Sequence, residues 1–385
     1  MPRTVPGQPG ACSTRSSSDR TIHSSSSPAP ARGPRREDFA HSPFVVFYEL
    51  TQACDLVCEH CRACAQPLRD PDELSEAQSR GLIDELARFP RPPLLVFTGG
   101  DPLKRPDVYD LVEHGVARGL EVAMTPSATP LVTAEALERL HDAGLHRLAV
   151  SLDGVDAATH DAFRGVAGSF ARTREIMADA RRLGLPLQAN TTVTATNVHQ
   201  IDALAELLAG EAIVLWSVFF LVPVGRGEPL ARIAPPEHEE AFARLWFHAQ
   251  RQPYGIKTTE APHYRRFVLR ARGNPQAAPA AVAPGQRQRA PLGINDGKGI
   301  LFISHRGAIY PSGFLPVVCG RFPRDSVVET YQQSPFFRML RDGNRLRGKC
   351  GRCEFRHVCG GSRARAYALT GDLLAAEPDC TYQPK

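Results

Sequence analysis

Two groups of cysteine residues carry the clearest chemical signal in this sequence. The first, "CDLVCEHCRAC", places four cysteines between Cys54 and Cys64, in a chain that has only ten among 385 residues. The second, "CGRCEFRHVC", begins at Cys350 and is followed by Cys380. Thiols this close together bind metals, carry out redox reactions or, in an oxidising compartment, form disulfides.

The spacing of the first group favours an iron–sulfur cluster. Cys54, Cys58 and Cys61 follow the pattern CxxxCxxC, and three thiolates on one short loop can bind three irons of a [4Fe–4S] cluster. A zinc site prefers CxxC pairs separated by a longer span. Three ligands leave the fourth iron open to a small molecule, and Cys64 is either a fourth ligand or an unligated neighbour.

The second group has enough cysteines to hold a cluster completely. Cys350, Cys353, Cys359 and Cys380 are four candidate ligands, and a fully ligated cluster transfers electrons or shapes a site. Structural zinc is the alternative, because CxxC spacing also suits zinc. We expect Cys319 to be a free or buried thiol.

The elements that must position these residues alternate between apolar strands and amphipathic helices. The predicted strands cover residues 44–51, 94–100, 120–125, 147–154, 187–194 and 213–222. A helical pattern follows each of them, which indicates an α/β fold with a parallel sheet covered by helices. Six units are fewer than the eight of a closed barrel, so we predict a partial (β/α)6 barrel. The first cysteine group directly follows the first strand, at the functional end of such a sheet.

Further motifs extend the likeness to a known family. "TGGDP" (Thr98–Pro102) ends the second strand, "SLDG" (Ser151–Gly154) ends the fourth, and "NTTV" (Asn190–Val193) lies on the fifth. With the CxxxCxxC loop, this order resembles the radical S-adenosylmethionine (radical SAM) superfamily from about residue 44 to residue 384. The family usually has Glu where this chain has Asp101.

The resemblance implies a set of residues that contact SAM. Gly99, Gly100 and Asp101 would lie at the amino end of its methionine, and His60 would lie near its adenine. The positions implied for the carboxylate and ribose are Ser151, Asp153, Asn190 and Thr192. A reduced [4Fe–4S] cluster in this family cleaves SAM to a 5′-deoxyadenosyl radical, which takes a hydrogen atom from the substrate.

The C-terminal part resembles the SPASM/twitch extensions of radical SAM enzymes, small Cys-rich iron–sulfur domains. Ser312 and Ser362 stand where relatives often have Cys, so the resemblance implies one auxiliary [4Fe–4S] cluster rather than two. It also implies an electron donor such as flavodoxin or ferredoxin. The motifs are most similar to the proteins of heme and heme d1 biosynthesis, which oxidise porphyrin propionates.

Two other functions stay open at this point. One is a peptide maturase that acts on a ribosomal precursor. The other is a non-catalytic iron–sulfur or zinc protein that serves as a scaffold or electron carrier, which would not bind SAM. A maturase usually has an N-terminal peptide-binding domain, and the polar N-terminal segment is too short for one, which favours a small-molecule substrate.

Composition divides the chain into four parts and excludes some partners. We predict a disordered tail (1–38), the barrel (39–270), a linker or loop (271–296) and the auxiliary-cluster domain (297–385). Residues 1–36 contain six arginines and one aspartate, which account for the whole net charge of +5. The neutral remainder argues against binding to nucleic acid. The chain has no apolar run that predicts a membrane helix or a secretory signal, so we expect a cytoplasmic protein.

Two short segments and one residue pair each have two interpretations. "KTTEAPHYRR" (Lys257–Arg266) either recognises a substrate carboxylate through its arginines or is a solvated loop. "GRG" (Gly225–Gly227), after the sixth strand, either contacts adenine or substrate or is a simple turn. Asp153 and Arg164 either act in the site or pair on the surface.

Overall fold

The computed structural model describes residues 38–273 and 293–385. The predicted tail up to residue 37 and most of the predicted linker (274–292) lie outside the described residues. The strands are β1 Val45–Thr51, β2 Leu94–Gly99, β3 Val122–Met124, β4 Arg147–Ser151, β5 Leu187–Val193, β6 Leu215–Phe220, β7 Gly255–Thr259, β8 Ile300–Ile303, β9 Ala308–Tyr310 and β10 Gly320–Arg321.

These strands form one sheet that does not close. Their order is β10-β9-β8-β1-β2-β3-β4-β5-β6-β7, so β7 and β10 are the two edges. Strands β1–β7 run parallel, and β8 continues the parallel part by pairing with β1, with Val45 opposite Ile300. Strands β8, β9 and β10 pair antiparallel. The open parallel sheet confirms the predicted partial barrel.

At least one helix follows each of strands β1–β7, and further helices lie before β1 and after β10. They are α1 Asp38–His41, α2 Glu76–Leu86, α3 Val108–Ala117, α4 Ala134–Asp142, α5 Ala157–Arg164, α6 Ser169–Arg182, α7 Ile201–Ala209, α8 Pro235–Ala249, α9 His263–Ala271, α10 Val327–Gln333, α11 Pro335–Arg341, α12 Gly348–Arg352 and α13 Arg363–Thr370. Helix α2 begins as predicted after Ser75, whose side chain and that of Gln78 form a capping box. The sequence analysis did not predict α5.

Residue alternation along β5 separates the core from the site. Leu187 and Ala189 are buried in the main hydrophobic core, which the strands share with the helices. Asn190 and Thr192 are only half-buried and line a cleft on the other face of the sheet. Because side chains point to opposite faces along a strand, β5 serves the core with one set of residues and the cleft with the other.

The segment Lys257–Arg266 is not a solvated loop, and that prediction was wrong. It contains the end of β7 and the start of α9. Strand β7 could not be predicted from this polar and charged sequence, because apolar periodicity is weak over five residues. Strand β7 pairs with β6, with Ser217 opposite Lys257, so pairing with a strongly apolar neighbour overrides the local composition.

Across residues 38–273 and 293–385, every helix is too short or too polar to cross a membrane.

Candidate active site

The first cysteine group lies on a loop at the carboxyl end of β1. The loop is closed at its base, where the Cys54 N–H donates to the Gln66 carbonyl (2.7 Å) and the Gln66 N–H donates to the Gln52 carbonyl (3.0 Å). Inside it, the Cys61 N–H donates to the Cys58 carbonyl (3.3 Å). We call residues 54–66 the cysteine loop. Its closed base fixes where the thiols stand relative to the sheet.

Three of the four thiols face one cleft. Cys54, Cys58 and Cys61 line a cleft of about 980 Å³, including its part open to solvent. Each sulfur lies near a hydrogen-bond donor: Leu56 N–H and Cys54 (3.3 Å), Ala65 N–H and Cys61 (3.4 Å), and Arg164 Nη1 and Cys58 (3.8 Å). Donors of this kind stabilise thiolates and tune iron–sulfur clusters.

The three thiols fit a [4Fe–4S] cluster better than a single ion. Within the described ranges, no three Cys, His, Asp or Glu side chains converge closely enough for one metal ion. A four-iron cluster makes a different demand, since each cysteine binds a separate iron. Cys64 is exposed, has φ of 50° and does not line the cleft. The loop therefore presents three thiols to the cleft, not four, and their role as cluster ligands stays a prediction.

The glycines of "TGGDP" let the end of β2 pass against the cysteine loop. A Cβ at Gly99, where φ is 150°, would stand 2.2 Å from the Thr51 carbonyl oxygen, and one at Gly100 would stand 2.4 Å from the Ala53 carbonyl oxygen. Both glycines line the cleft. Only glycine permits this approach, so the motif joins two loops while leaving backbone open to a ligand.

Asp101 is placed below the cleft rather than in its lining. Its side chain is fully buried, accepting from the Thr129 hydroxyl (2.6 Å) and from the Leu103 N–H (3.2 Å). Burial raises its pKa, although these hydrogen bonds oppose the shift. The observed contacts hold the turn after β2, and a direct contact between Asp101 and SAM stays a prediction.

Asp153 and Arg164 form an ion pair that is buried, so of the two interpretations the surface pair was wrong. Asp153 is fully buried and also accepts from the Thr192 N–H (2.7 Å). Burial alone would raise the pKa of Asp153, but Arg164 outweighs burial and holds it below its usual value. Because Arg164 also reaches Cys58 and lines the cleft, the pair connects β4 to the cysteine loop. A direct contact between Asp153 and SAM stays a prediction.

His60 presents a neutral ring to the cleft. Its imidazole stacks on Phe163, with 4.2 Å between centroids and 12° between planes. Burial, helped by the charge of Arg164, lowers its pKa to about 3. The ring is therefore uncharged at neutral pH, which suits packing beside an aromatic base.

The remaining predicted contacts come together on one wall. Ser151, Asn190 and Thr192 line the cleft at the carboxyl ends of β4 and β5. An apolar wall stands with them, formed by Phe219, Phe220, Leu221, Val222, Val224 and Phe314. The cleft lining thus combines polar groups with a hydrophobic surface.

Sequence reasoning missed two groups that support the loop. Ser127, at the end of β3, lies 3.3 Å from Cys54 through its Oγ and donates to the Gly100 carbonyl (2.8 Å). Its position after the third predicted strand could have indicated it. The second group is the buried Glu49, which binds Arg62 (2.7 Å) and His305 (2.8 Å). No local sequence pattern indicates this group, because Glu49 and His305 are 256 residues apart in the chain.

With this geometry established, comparisons with known proteins decide the family. Residues 48–208 match the family described as the Radical SAM superfamily. The chain is 38% identical over 346 residues to an AdoMet-dependent heme synthase of Methanosarcina barkeri, covering 89% of this chain and 98% of that protein. The chain belongs to the radical SAM superfamily.

Two further comparisons agree with this assignment. A protein of Nitratidesulfovibrio vulgaris with the same name is 38% identical and covers 92% of this chain and 97% of its own. Streptococcus suis SuiB bound to S-adenosylmethionine has the same fold, with a TM-score of 0.69 at 13% identity over 89% of this chain and 78% of that one. A radical SAM protein is an enzyme that uses SAM and a [4Fe–4S] cluster.

The second cysteine group of this radical SAM enzyme also converges on one cavity. Cys350, Cys353, Cys359 and Cys380 line a space of about 360 Å³. The Glu377 N–H donates to Cys350 Sγ (3.2 Å). Burial raises the pKa of the Cys353 thiol to about 11, so a metal must displace its proton. Cys319 lines neither this cavity nor the cleft, and burial raises its pKa to about 12.

The arginines of "KTTEAPHYRR" serve this second cavity rather than a substrate. Arg265 donates to the carbonyls of Ile294 (2.5 Å) and Val358 (3.2 Å). Arg266 pairs with Glu239 and lies 4.0 Å from Cys380 Sγ. Both side chains are engaged by protein groups, which argues against the interpretation that they bind a substrate carboxylate.

Proposed function

We propose that this enzyme is a SAM-dependent heme synthase that oxidises propionate side chains of an iron porphyrin to vinyl groups. The observation that carries the proposal is the 38% identity along 98% of a relative with that activity in its name. The substrate class agrees with the cleft, whose apolar residues suit a macrocycle and the nucleoside of SAM and whose polar residues suit the charged groups of SAM.

The reaction balances as an oxidative decarboxylation. A propionate, R–CH2–CH2–COO⁻, becomes a vinyl group, R–CH=CH2, by losing one hydrogen atom, one electron and CO2. The cluster and SAM, when bound, supply the 5′-deoxyadenosyl radical that takes the hydrogen atom. The remaining electron must leave the substrate for an acceptor.

The residues of the cleft bind, orient and exclude water. Cys54, Cys58 and Cys61 would hold the cluster, and the backbone at Gly99 and Gly100 would face the methionine part of SAM. The neutral, stacked ring of His60 gives the adenine a flat neighbour without a positive charge. Phe219 and Phe314, with ring centroids 6.4 Å apart, would keep water away from the reacting carbon.

We assign the electron-accepting role to a second [4Fe–4S] cluster held by the four C-terminal cysteines. Their shared cavity and the N–H donor on Cys350 support this role. A small protein such as flavodoxin or ferredoxin would deliver the electrons that reduce the first cluster.

A peptide substrate is the second candidate. Two relatives named PqqA peptide cyclase are 28% and 27% identical to this chain over 354 and 355 residues. The higher identity to heme synthases favours a porphyrin.

The test is an anaerobic assay that contains the enzyme, SAM and an iron porphyrin. The reconstituted, reduced enzyme is incubated with SAM and iron-coproporphyrin III, which carries four propionates, and the porphyrin is followed by mass spectrometry. We expect successive losses of one CO2 and two hydrogen atoms from the porphyrin weighed as the neutral acid, the second hydrogen being the carboxylic proton. An unchanged porphyrin, with 5′-deoxyadenosine formed at the rate seen without substrate, would refute the porphyrin proposal while leaving radical SAM chemistry intact.

A further inference from the structure

The turn after β6 is pressed against the cysteine loop. At Gly225 φ is +60°, and a Cβ there would stand 2.6 Å from the Arg62 carbonyl oxygen and 2.7 Å from that of Cys61. The Arg226 N–H donates to the Cys61 carbonyl (3.1 Å). A Cβ at Gly227 would be 3.4 Å from the Cα of His60. The "GRG" sequence is therefore a turn in close contact with the segment that carries two cluster ligands.

The side chain of Arg226 spans that segment. Its Nε donates to the Cys58 carbonyl (3.0 Å), and its Nη1 donates to the Ala65 carbonyl (3.2 Å). One planar guanidinium thus bridges two backbone positions seven residues apart. In contrast to Arg62 and Arg164, which also line the cleft, Arg226 has no carboxylate partner within the described part of the chain.

The residues just before this turn form the wall of the cleft. Leu221, Val222 and Val224 line it directly, and they continue from β6 into Gly225 without a break. A rigid link from this wall to Cys58 and Cys61 would fix the distance between a bound nucleoside and the cluster. No other described residue donates side-chain hydrogen bonds to both the Cys58 and Ala65 carbonyls.

We propose that Arg226 is a positioning residue that ties the end of β6 to the cysteine loop, so that the SAM-facing wall and the cluster ligands keep one geometry. It acts through the loop and not by contact with the reacting atoms. The inference depends on membership of the radical SAM superfamily and not on the porphyrin proposal, so its test contains no porphyrin.

The experiment uses the reconstituted holoenzyme with three variants and one control. Arg226→Ala removes both bridges. Arg226→Lys keeps the charge, but its single ammonium cannot span both carbonyls. Gly225→Ala keeps the guanidinium and forces a Cβ against the loop. The control is Arg182→Ala, a side chain that is 59% exposed and pairs with Asp179 on the surface.

Three measurements separate positioning from general stability. They are hydrogen exchange of the peptide covering residues 54–66, the dissociation constant of SAM, and the change that SAM causes in the electron paramagnetic resonance spectrum of the reduced cluster. For Arg226→Ala we expect faster loop exchange, SAM binding weaker by about tenfold to a hundredfold, and a diminished spectral change. Arg226→Lys should fall between Arg226→Ala and the wild type, Gly225→Ala should resemble Arg226→Ala, and Arg182→Ala should match the wild type.

Two results would overturn the proposal. One is wild-type loop exchange together with wild-type SAM affinity in Arg226→Ala. The other is weakened SAM binding with wild-type loop exchange, since Arg226 would then act on the ligand and not on the loop. If Arg226→Ala does not fold, the same two measurements on Arg226→Lys decide the question, and wild-type values of both would overturn the proposal.

Discussion

At the scale of single residues, buried ion pairs hold the cysteine loop against the strands. Arg164 is shared between Asp153 and Cys58, and Arg62 between Glu49 and the ring of Phe302, which lies 4.5 Å away. Each pair links a strand to the loop. Removing one partner from a buried pair leaves an uncompensated charge, so these side chains maintain the site even where they contact no ligand.

Asp153→Ala tests whether this carboxylate acts mainly through the loop. We expect the free energy of unfolding to fall by about 3–5 kcal/mol, because Arg164 is left buried without its partner. The measurement is urea unfolding of the apoprotein. Asp179→Ala, which breaks the exposed pair with Arg182, should cost no more than about 1 kcal/mol. Equal losses in the two variants would contradict the structural role of Asp153.

Single residues also show what the sequence could predict. The spacing of Cys54, Cys58 and Cys61 was enough to predict three thiols facing one site, because the chemistry of the cluster fixes that pattern. The different positions of Asp101 and Asn190 were not predictable. Each lies in a motif that resembles the family, but only Asn190 lines the cleft. Orientation depends on partners such as Thr129, which no local spacing reveals.

At the scale of elements, the close approach of the β2 turn to the cysteine loop sets the shape of the cleft. Gly100→Ala would place a Cβ 2.4 Å from the Ala53 carbonyl oxygen and 2.6 Å from that of Gln52. We expect the loop to shift and the iron bound by the N-terminal cysteines to fall severalfold, measured as iron per chain after reconstitution.

The matched control for this change is Gly81→Ala. Gly81 lies within α2, and the nearest atom to an added Cβ is the Phe322 Cζ at 3.8 Å. Alanine favours helix by about 1 kcal/mol over glycine, so this variant should be at least as stable as the wild type and should bind iron normally. Normal iron content in Gly100→Ala would refute the steric account.

The turn between β8 and β9 adds a pH-dependent contact to Glu49, the partner of Arg62 in the cysteine loop. His305 faces Glu49 on β1 (2.8 Å) and Asp70 (3.4 Å), which are themselves paired with Arg62 and Arg306. Burial lowers the pKa of His305, but the hydrogen bond and charge of Glu49 outweigh burial, and the net pKa is raised. Protonated His305 therefore stabilises the folded state.

His305→Gln should lose this stabilisation in a defined pH range. Since the folded pKa lies above the ordinary value of about 6.5, the contribution is complete below pH about 6.5 and disappears as pH rises through the folded value. We expect the stability difference between wild type and variant to be largest at acidic pH and to shrink towards alkaline pH, measured by urea midpoints. A difference independent of pH would argue against a charged His305.

Elements differ in how well the sequence predicts them. The six strand–helix units were predictable because each has a strong apolar period and clear ends, such as the Ser75 cap of α2. Strand β7 and helix α5 were not, because their composition is polar and their conformation depends on pairing with β6 and packing on α6. Without α5, the sequence could not show that Arg164 lies beside the cysteine loop, where it reaches Cys58.

At the scale of the whole molecule, the described residues 38–273 and 293–385 belong to one compact unit, and the C-terminal segment extends the barrel sheet through β8. The four-domain division stays a prediction. Arg365 is fully buried on α13 and donates to the Phe220 carbonyl (3.0 Å) and pairs with Glu377 (3.3 Å). Glu377 also donates its N–H to Cys350, so the second cysteine cavity is joined to the wall of the cleft.

Cys353→Ser tests the separate roles of the two cysteine groups. We expect the variant to lose the iron of the C-terminal site and to keep that of the N-terminal site, because no described contact to Cys54, Cys58 or Cys61 involves Cys353. SAM cleavage should continue, while vinyl product falls at least tenfold for lack of an electron acceptor. The measurements are iron content and the ratio of vinyl product to 5′-deoxyadenosine; an unchanged ratio would contradict the acceptor role.

The most direct test of the account follows one hydrogen atom. An iron porphyrin with propionates deuterated at the carbon next to the macrocycle is converted anaerobically with SAM, and the 5′-deoxyadenosine is analysed by mass spectrometry. The account predicts deuterium in 5′-deoxyadenosine in proportion to vinyl groups formed, and neither product from Cys58→Ala. Vinyl product accompanied by unlabelled 5′-deoxyadenosine, or labelled product from Cys58→Ala, would contradict it.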